Sequence, residues 1–136
     1  MLKFMLDTDT VIFTMNRRPE HMREMFKLNK GQMAISTVTL GELIFGAEKS
    51  AKPEHNLQVV EGFAARLEVL PFDTAACTHW GQVRNELRKA GTPIGPYDQM
   101  LAGHARSLGL ILVTHNTREF RQVGGLRLED WVIADP

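Results

Sequence analysis

Short apolar runs recur along this chain, and most are followed by a longer stretch whose apolar positions fall at helical spacing. Leu2–Leu6, Met33–Ser36, Leu67–Leu70 and Leu110–Val113 read as short buried strands, with a last strand expected near Leu126–Val132. Between them the pattern predicts helices over 8–15, 20–28, 37–49 and 53–65. In the third of these, Val38, Leu40, Ile44 and Ala47 mark out the helical period. Pro19 and Pro53 suit first helical turns, where a missing N–H costs nothing. Asp73 is placed to cap a long helix to Lys89, and Gly109 to stop one that begins near Tyr97. The glycines and prolines of 91–96 admit only a loop, and a short helix is expected over 117–123.

Strands of about four apolar residues that alternate with helices have both faces covered, which is the signature of a parallel sheet. The expected fold is α/β: a three-layer α/β/α sandwich with a central, mostly parallel sheet. One domain over residues 1–136 accounts for all of it, since a chain this long closes one core.

Composition adds exclusions. Hydrophobic residues are 43% and charged residues 24%, which fits an ordinary globular protein and not a disordered one. The lone Cys77 cannot form an intramolecular disulfide, so a reducing cytoplasm is expected. Asp7 and Asp9 cut short the apolar start, so no signal peptide is read, and no later run is long enough for a membrane span. Sixteen basic and sixteen acidic residues cancel, unlike the charge of a general nucleic-acid binder.

In open α/β sheets sites form beyond the carboxyl ends of the strands. Asp7, Thr8 and Asp9 follow the first run, and Ser36 ends the second, with Glu42 further along the helix. Asp98 follows the glycine- and proline-rich loop, and Thr114, His115, Asn116 and Glu119 follow the fourth run. Four separate segments thus bring oxygen-bearing side chains to one end of the sheet. Clustered carboxylates repel one another unless a cation is present or their pKa values rise. All-oxygen, acidic donors suit Mg²⁺ or Mn²⁺ better than zinc, and such a site serves phosphodiester hydrolysis.

Each position alone also has a plainer reading. Asp7, Asp98 and Asn116 could simply cap helices, Thr39 and Glu42 have capping-box spacing, and Asp9 could be a solvated first-turn acid. The conjunction favours a site, because caps need not be acidic at successive strand ends. Zinc is disfavoured, since Cys77 and His79 lack companions at the needed spacing. The five histidines are scattered, and no Gly-rich phosphate cradle is present.

The runs Met5–Thr10, Ser36–Leu43, Pro96–Ala102 and Leu112–Phe120 together resemble VapC toxins of the PIN-domain superfamily, in order and across essentially the whole chain. That resemblance implies a toxin ribonuclease whose acidic core is Asp7, Glu42 and Asp98, with a fourth position near Asn116 or Glu119. Thr8 and Thr114 become hydroxyls that orient the carboxylates. It further implies Mg²⁺ or Mn²⁺, a VapB-like antitoxin as partner, a homodimer, and DNA met only through the antitoxin. The substrate implied is RNA, and by similarity to enteric members initiator tRNA in its anticodon stem-loop. Two departures stand out: Asp9 replaces the usual Asn after the Asp-Thr pair, and Asn116 is neutral where the family has an acid.

In-line attack by metal-activated water would leave a 5′-phosphate and a 3′-hydroxyl. Arg84, Arg88 and Lys89 form one basic edge that could meet the RNA backbone, and Arg17, Arg18 and Arg23 another. Two other classes remain open. One is a non-catalytic component that holds a DNA-binding antitoxin. The other is a receiver-like phospho-acceptor domain, which Val69-Leu70-Pro71 fails to support because no acceptor Asp follows the third strand directly.

Overall fold

The computed structural model describes residues 1–16 and 18–133. Five strands form one sheet: β1 (Phe4–Leu6), β2 (Met33–Ser36), β3 (Glu68–Leu70), β4 (Ile111–Val113) and β5 (Leu128–Glu129). The order is β3-β2-β1-β4-β5, and every adjacent pair is parallel, so the sheet is parallel throughout.

Helices α1 (Thr8–Met15) and α2 (Met22–Leu28) link β1 to β2, and α3 (Thr37–Glu48) and α4 (Pro53–Ala64) link β2 to β3. Helices α5 (Thr74–Ala90) and α6 (Pro96–Leu108) lead to β4, and α7 (Thr117–Phe120) leads to β5. The alternation of strand side chains divides these helices into two layers. Phe4, Leu6, Met33, Ile35, Ile111 and Val113 face one way and pack with Val11, Met22, Phe26, Leu43, Val60 and Phe63 of α1 to α4. Met5 and Leu112 face the other way, against Val83, Leu87, Ala102 and Ala105 of α5 and α6 and Phe120 of α7. Burying each large side chain of this kind contributes roughly 1.5–3 kcal/mol.

Right-handed crossovers explain the order. The chain moves outward from β1 through β2 to β3, then crosses to the far side of β1 for β4 and β5. The connections leaving β1 (to β2) and β4 (to β5) therefore depart in opposite directions, opening a crevice at the carboxyl ends of β1 and β4. Asp7 stands there, its backbone N–H donating to the Val113 carbonyl at 3.0 Å.

Several boundaries differ from the sequence expectation. Helix α2 starts at Met22 rather than 20, because residues 19–21 form a turn closed by the Met22 N–H on the Pro19 carbonyl. The final strand is reduced to Leu128–Glu129, since the Asp130 side chain caps the Val132 N–H and turns the chain. Trp131 then folds back edge-on to Phe4, with ring centroids 5.0 Å apart. Helix α7 stops at Phe120 instead of 123. Helix α5 is capped as expected by Asp73, which accepts from the Ala76 N–H, and α6 stops at left-handed Gly109. No helix among the described residues is long and apolar enough to cross a membrane.

Helices α5 and α6 touch backbone to backbone at Gly103. A Cβ there would lie 2.6 Å from Trp80 backbone atoms, while one at Gly81 would meet nothing within 4 Å. Gly103→Ala is therefore expected to destabilise the fold by about 1–3 kcal/mol, as overpacking against rigid backbone does. Gly81→Ala should instead stabilise it by up to about 1 kcal/mol through helix propensity. Paired thermal melts of the two variants check both signs.

Candidate metal centre and active site

Asp7 is delivered to its place by two local facts. It is the residue directly after β1, and it caps α1 by accepting from the Thr10 N–H at 2.8 Å. The cap and the crevice position thus coexist in one carboxylate that is only 3% exposed. Burial raises its pKa above the ordinary carboxylate value, and the nearby Asp9 charge adds to the rise. The Thr10 N–H bond and the neighbouring Thr114 and Thr10 hydroxyl groups offset part of it, the Thr10 hydroxyl itself donating to the Val113 carbonyl.

Asp98 sits in the first turn of α6, whose N-cap is Gly95, so Asp98 is not itself the cap. It is half-buried, and its pKa is raised to about 6, first by burial and then by the charges of Asp7, Glu42, Asp9 and Glu119. Glu42 lies half a helix beyond the N-cap Ser36 and makes no capping box with Thr39. Its carboxylate accepts instead from the Thr8 hydroxyl at 2.7 Å, and that hydroxyl lies 3.3 Å from the hydroxyl of Thr39.

Asp7, Thr8, Asp9, Glu42 and Asp98 line one pocket of about 230 Å³, closed on its other side by Gly95, Pro96 and Tyr97. Tyr97 is not singled out by the sequence pattern, its one local signal being its place beside Asp98; the structure leaves its ring exposed. Among the described residues the only ion pairs are Arg106–Glu86 and His115–Asp130, so no cation neutralises this pocket. Nor are three of its acids drawn together as a ready ligand set. The side-chain donors of the pocket's acids and Thr8 are oxygens without exception. The donor chemistry therefore fits a hard divalent cation.

Other expected residues fall elsewhere. Ser36 is fully buried, caps α3 through the Val38 N–H, and lies 2.9 Å from His104 Nδ1, so it supports packing and does not line the pocket. Burial lowers the His104 pKa, which keeps that imidazole neutral inside the core. Thr114 is buried, and its hydroxyl also accepts from the Asn116 N–H. Asn116 occupies the N-cap position of α7 without a side-chain capping bond and stays outside the pocket. Glu119 is likewise outside it, acting on Asp98 through charge alone. Arg84, Arg88 and Lys89 are exposed on α5 and do not line the pocket. The Arg84 guanidinium covers the Trp80 ring, and Arg88 donates to Asn85. Arg18 and Arg23 are exposed, and Arg17 lies outside the described residues.

Residues 4–126 match the PIN domain. The chain is also 64% identical to the tRNA(fMet)-specific endonuclease VapC of Shigella flexneri, over 96% of this chain and 99% of that one. The chain belongs to the PIN-domain family, in its VapC branch. A Ribonuclease VapC2 from Haemophilus influenzae is 48% identical over 97% of this chain and all of its own length. Among solved structures, the DNA-bound VapBC complex of Salmonella typhimurium contains a chain that matches with a TM-score of 0.93 and 63% identity. That match covers 96% of this chain and 99% of that one. VapBC2 from Rickettsia felis, bound to a promoter DNA fragment, matches with a TM-score of 0.90 and 34% identity, over 96% and 99%. PIN-domain ribonucleases generally depend on divalent metals, which agrees with the all-oxygen, unneutralised pocket.

The Thr8–Glu42 bond gives a direct test within the pocket. Thr8→Val keeps the shape and removes the hydroxyl that fixes the carboxylate. Loss of such an orienting partner typically costs 10–100-fold in metal affinity or activity. Initial cleavage rates with saturating metal should fall by about that factor, and Thr8→Ser should restore most of the loss.

Proposed function

We propose that this chain is the toxin of a VapBC-type toxin–antitoxin pair, a metal-dependent endoribonuclease that cuts tRNA, with initiator tRNA as its first target. A VapB-like antitoxin is its partner, and the cytoplasm, where charged tRNA is found, is its place of action. The observation that carries this reading is the unneutralised carboxylate pocket at the switch point of the sheet, in a chain so similar to tRNA(fMet)-specific endonucleases.

Asp7, Asp98 and Glu42 are the residues that would hold the cation, Mg²⁺ or Mn²⁺. When bound, it supplies an activated water and stabilises charge that develops on the phosphoryl oxygens. Asp7 is fixed in direction by its cap bond to Thr10, and Glu42 by the Thr8 hydroxyl. Asp9, exposed at the pocket mouth, adds negative potential that favours cation entry. Tyr97 offers an exposed ring beside Asp98, suited to stacking an unpaired base.

Antitoxin-free protein incubated with total tRNA and Mg²⁺ should give discrete fragments that vanish with EDTA. End-mapping should find 5′-phosphate and 3′-hydroxyl ends. Cyclic 2′,3′-phosphate ends would show that the RNA 2′-hydroxyl is the nucleophile and would overturn the water-attack reading.

A further inference from the structure

A second pocket, of about 240 Å³, lies where α1, α2 and α4 meet, and its chemistry is opposite to that of the first. Arg23 and Lys27 from α2 and Arg66 from just beyond α4 line it, with Thr14, Met15, Phe26, Val59, Gly62 and Phe63, and no acid is among the lining residues. Among the described residues none of the three cations is ion-paired. Arg66 lies 4.8 Å over the Phe26 ring, which holds its guanidinium at the pocket wall.

Lys27 in the last turn of α2 suits the helix dipole, but its pairing with Arg23 does not stabilise the helix. Arg23 and Lys27 are four apart on α2, where like charges repel, and both are exposed. Three unpaired cations around a concave space attract an anion.

The two pockets are joined. A groove lined by Ile12, Leu43, Val60 and neighbours shares Glu42 with the acidic pocket, and Met15 and Val59 with the cationic one. Along α1 the distance from Asp7 to Thr14 is about 10 Å at 1.5 Å per residue. That spans about three stacked nucleotides at 3.4 Å each, and fewer if the strand is extended. A groove with a cation pocket at one end and a carboxylate pocket at the other matches a single strand whose backbone runs from one to the other.

We propose that Arg23, Lys27 and Arg66 form a phosphate-binding subsite that holds the RNA backbone a few nucleotides from the scissile bond. This rests on the ribonuclease reading above and names the part of the surface that gives an electrically neutral chain its grip on a polyanion. The subsite positions the strand and takes no part in bond cleavage. Its loss should therefore raise KM and leave kcat unchanged.

The test compares the full-length wild type with Arg23→Glu/Lys27→Glu, and separately with Arg66→Gln in case the double variant folds poorly. Substrate is an RNA stem-loop with the anticodon arm of initiator tRNA, assayed across a range of salt concentrations. The expected result for the double variant is a KM at least about tenfold higher, kcat within about twofold, and a shallower salt dependence. Its log–log slope should shrink by about 1.4, since a single strand contributes about 0.7 per phosphate. Unchanged KM and slope in folded variants would overturn the proposal. So would unchanged KM with weakened antitoxin binding, which would assign the pocket to an acidic protein segment.

Binding of the same RNA by the Asp7→Asn variant, with and without the charge reversals, separates the two layers. A reversal-sensitive salt slope without any wild-type cleavage would uphold the subsite and sink the ribonuclease reading.

Discussion

Asp7→Asn is expected to lower RNA cleavage by at least about 10³-fold while leaving the metal-free protein as stable as the wild type, or more so. A metal ligand's share of transition-state stabilisation is several kcal/mol, and each 1.36 kcal/mol is a factor of ten in rate. Asparagine can still accept from the Thr10 N–H, so the α1 cap survives. It also removes a buried carboxylate whose pKa burial has raised, and hence a charge the apo fold tolerates at a cost. Asp7→Ala should be equally inactive but lose about 1 kcal/mol, because the cap goes as well. Cleavage rates together with thermal midpoints in EDTA separate the two roles. If Asp7→Asn melted far below the wild type while keeping its activity, Asp7 would be a structural cap and nothing more.

The second large effect concerns pH. Asp98 is raised to about 6, so in the metal-free protein it takes up a proton as pH falls through that value. A cation must displace the proton, and its apparent affinity should drop by up to about tenfold per pH unit below 6, levelling off above 7. Stability of the metal-free protein should move the other way. Between the ordinary value of 3.8 and about 6 the folded state binds more protons at Asp98 than the unfolded state does. Unfolding free energy therefore falls as pH rises through this window, and the penalty is complete above it. The raised pKa of Asp7 contributes with the same sign. Mn²⁺ titrations between pH 5 and 7.5, beside melts in EDTA, check both directions. Asp98→Asn should flatten both profiles.

The layered architecture was legible because its causes are local. Strand runs of apolar residues that end on or shortly before caps such as Ser36, Asp7 and Asp73 fix where each element begins, and the alternation of Phe4, Met5 and Leu6 assigns the two faces. The convergence of Asp7, Asp9, Glu42 and Asp98 was legible for a related reason, since all follow strands or loops at one end of the sheet. What the sequence left open is what depends on distant partners. Glu42 takes its direction from Thr8, thirty-four residues away, rather than from its own helix. Ser36 is withdrawn from the pocket by His104, sixty-eight residues away. The final strand is short because Asp130 and Trp131 find tertiary partners in place of a ladder. Lys27 and Arg66 escaped notice because their pocket is assembled from three helices, with only the spacing of Arg23 and Lys27 as a local hint.

The central claim is that Asp7, Glu42 and Asp98 form a divalent-cation site, and an anomalous difference map from crystals grown with Mn²⁺ tests it most directly. The account predicts a strong peak within ligand distance of the Asp7 and Asp98 carboxylates, lost in Asp98→Asn crystals. A fully occupied Mn²⁺ elsewhere in the molecule, with this pocket filled only by water, would contradict it.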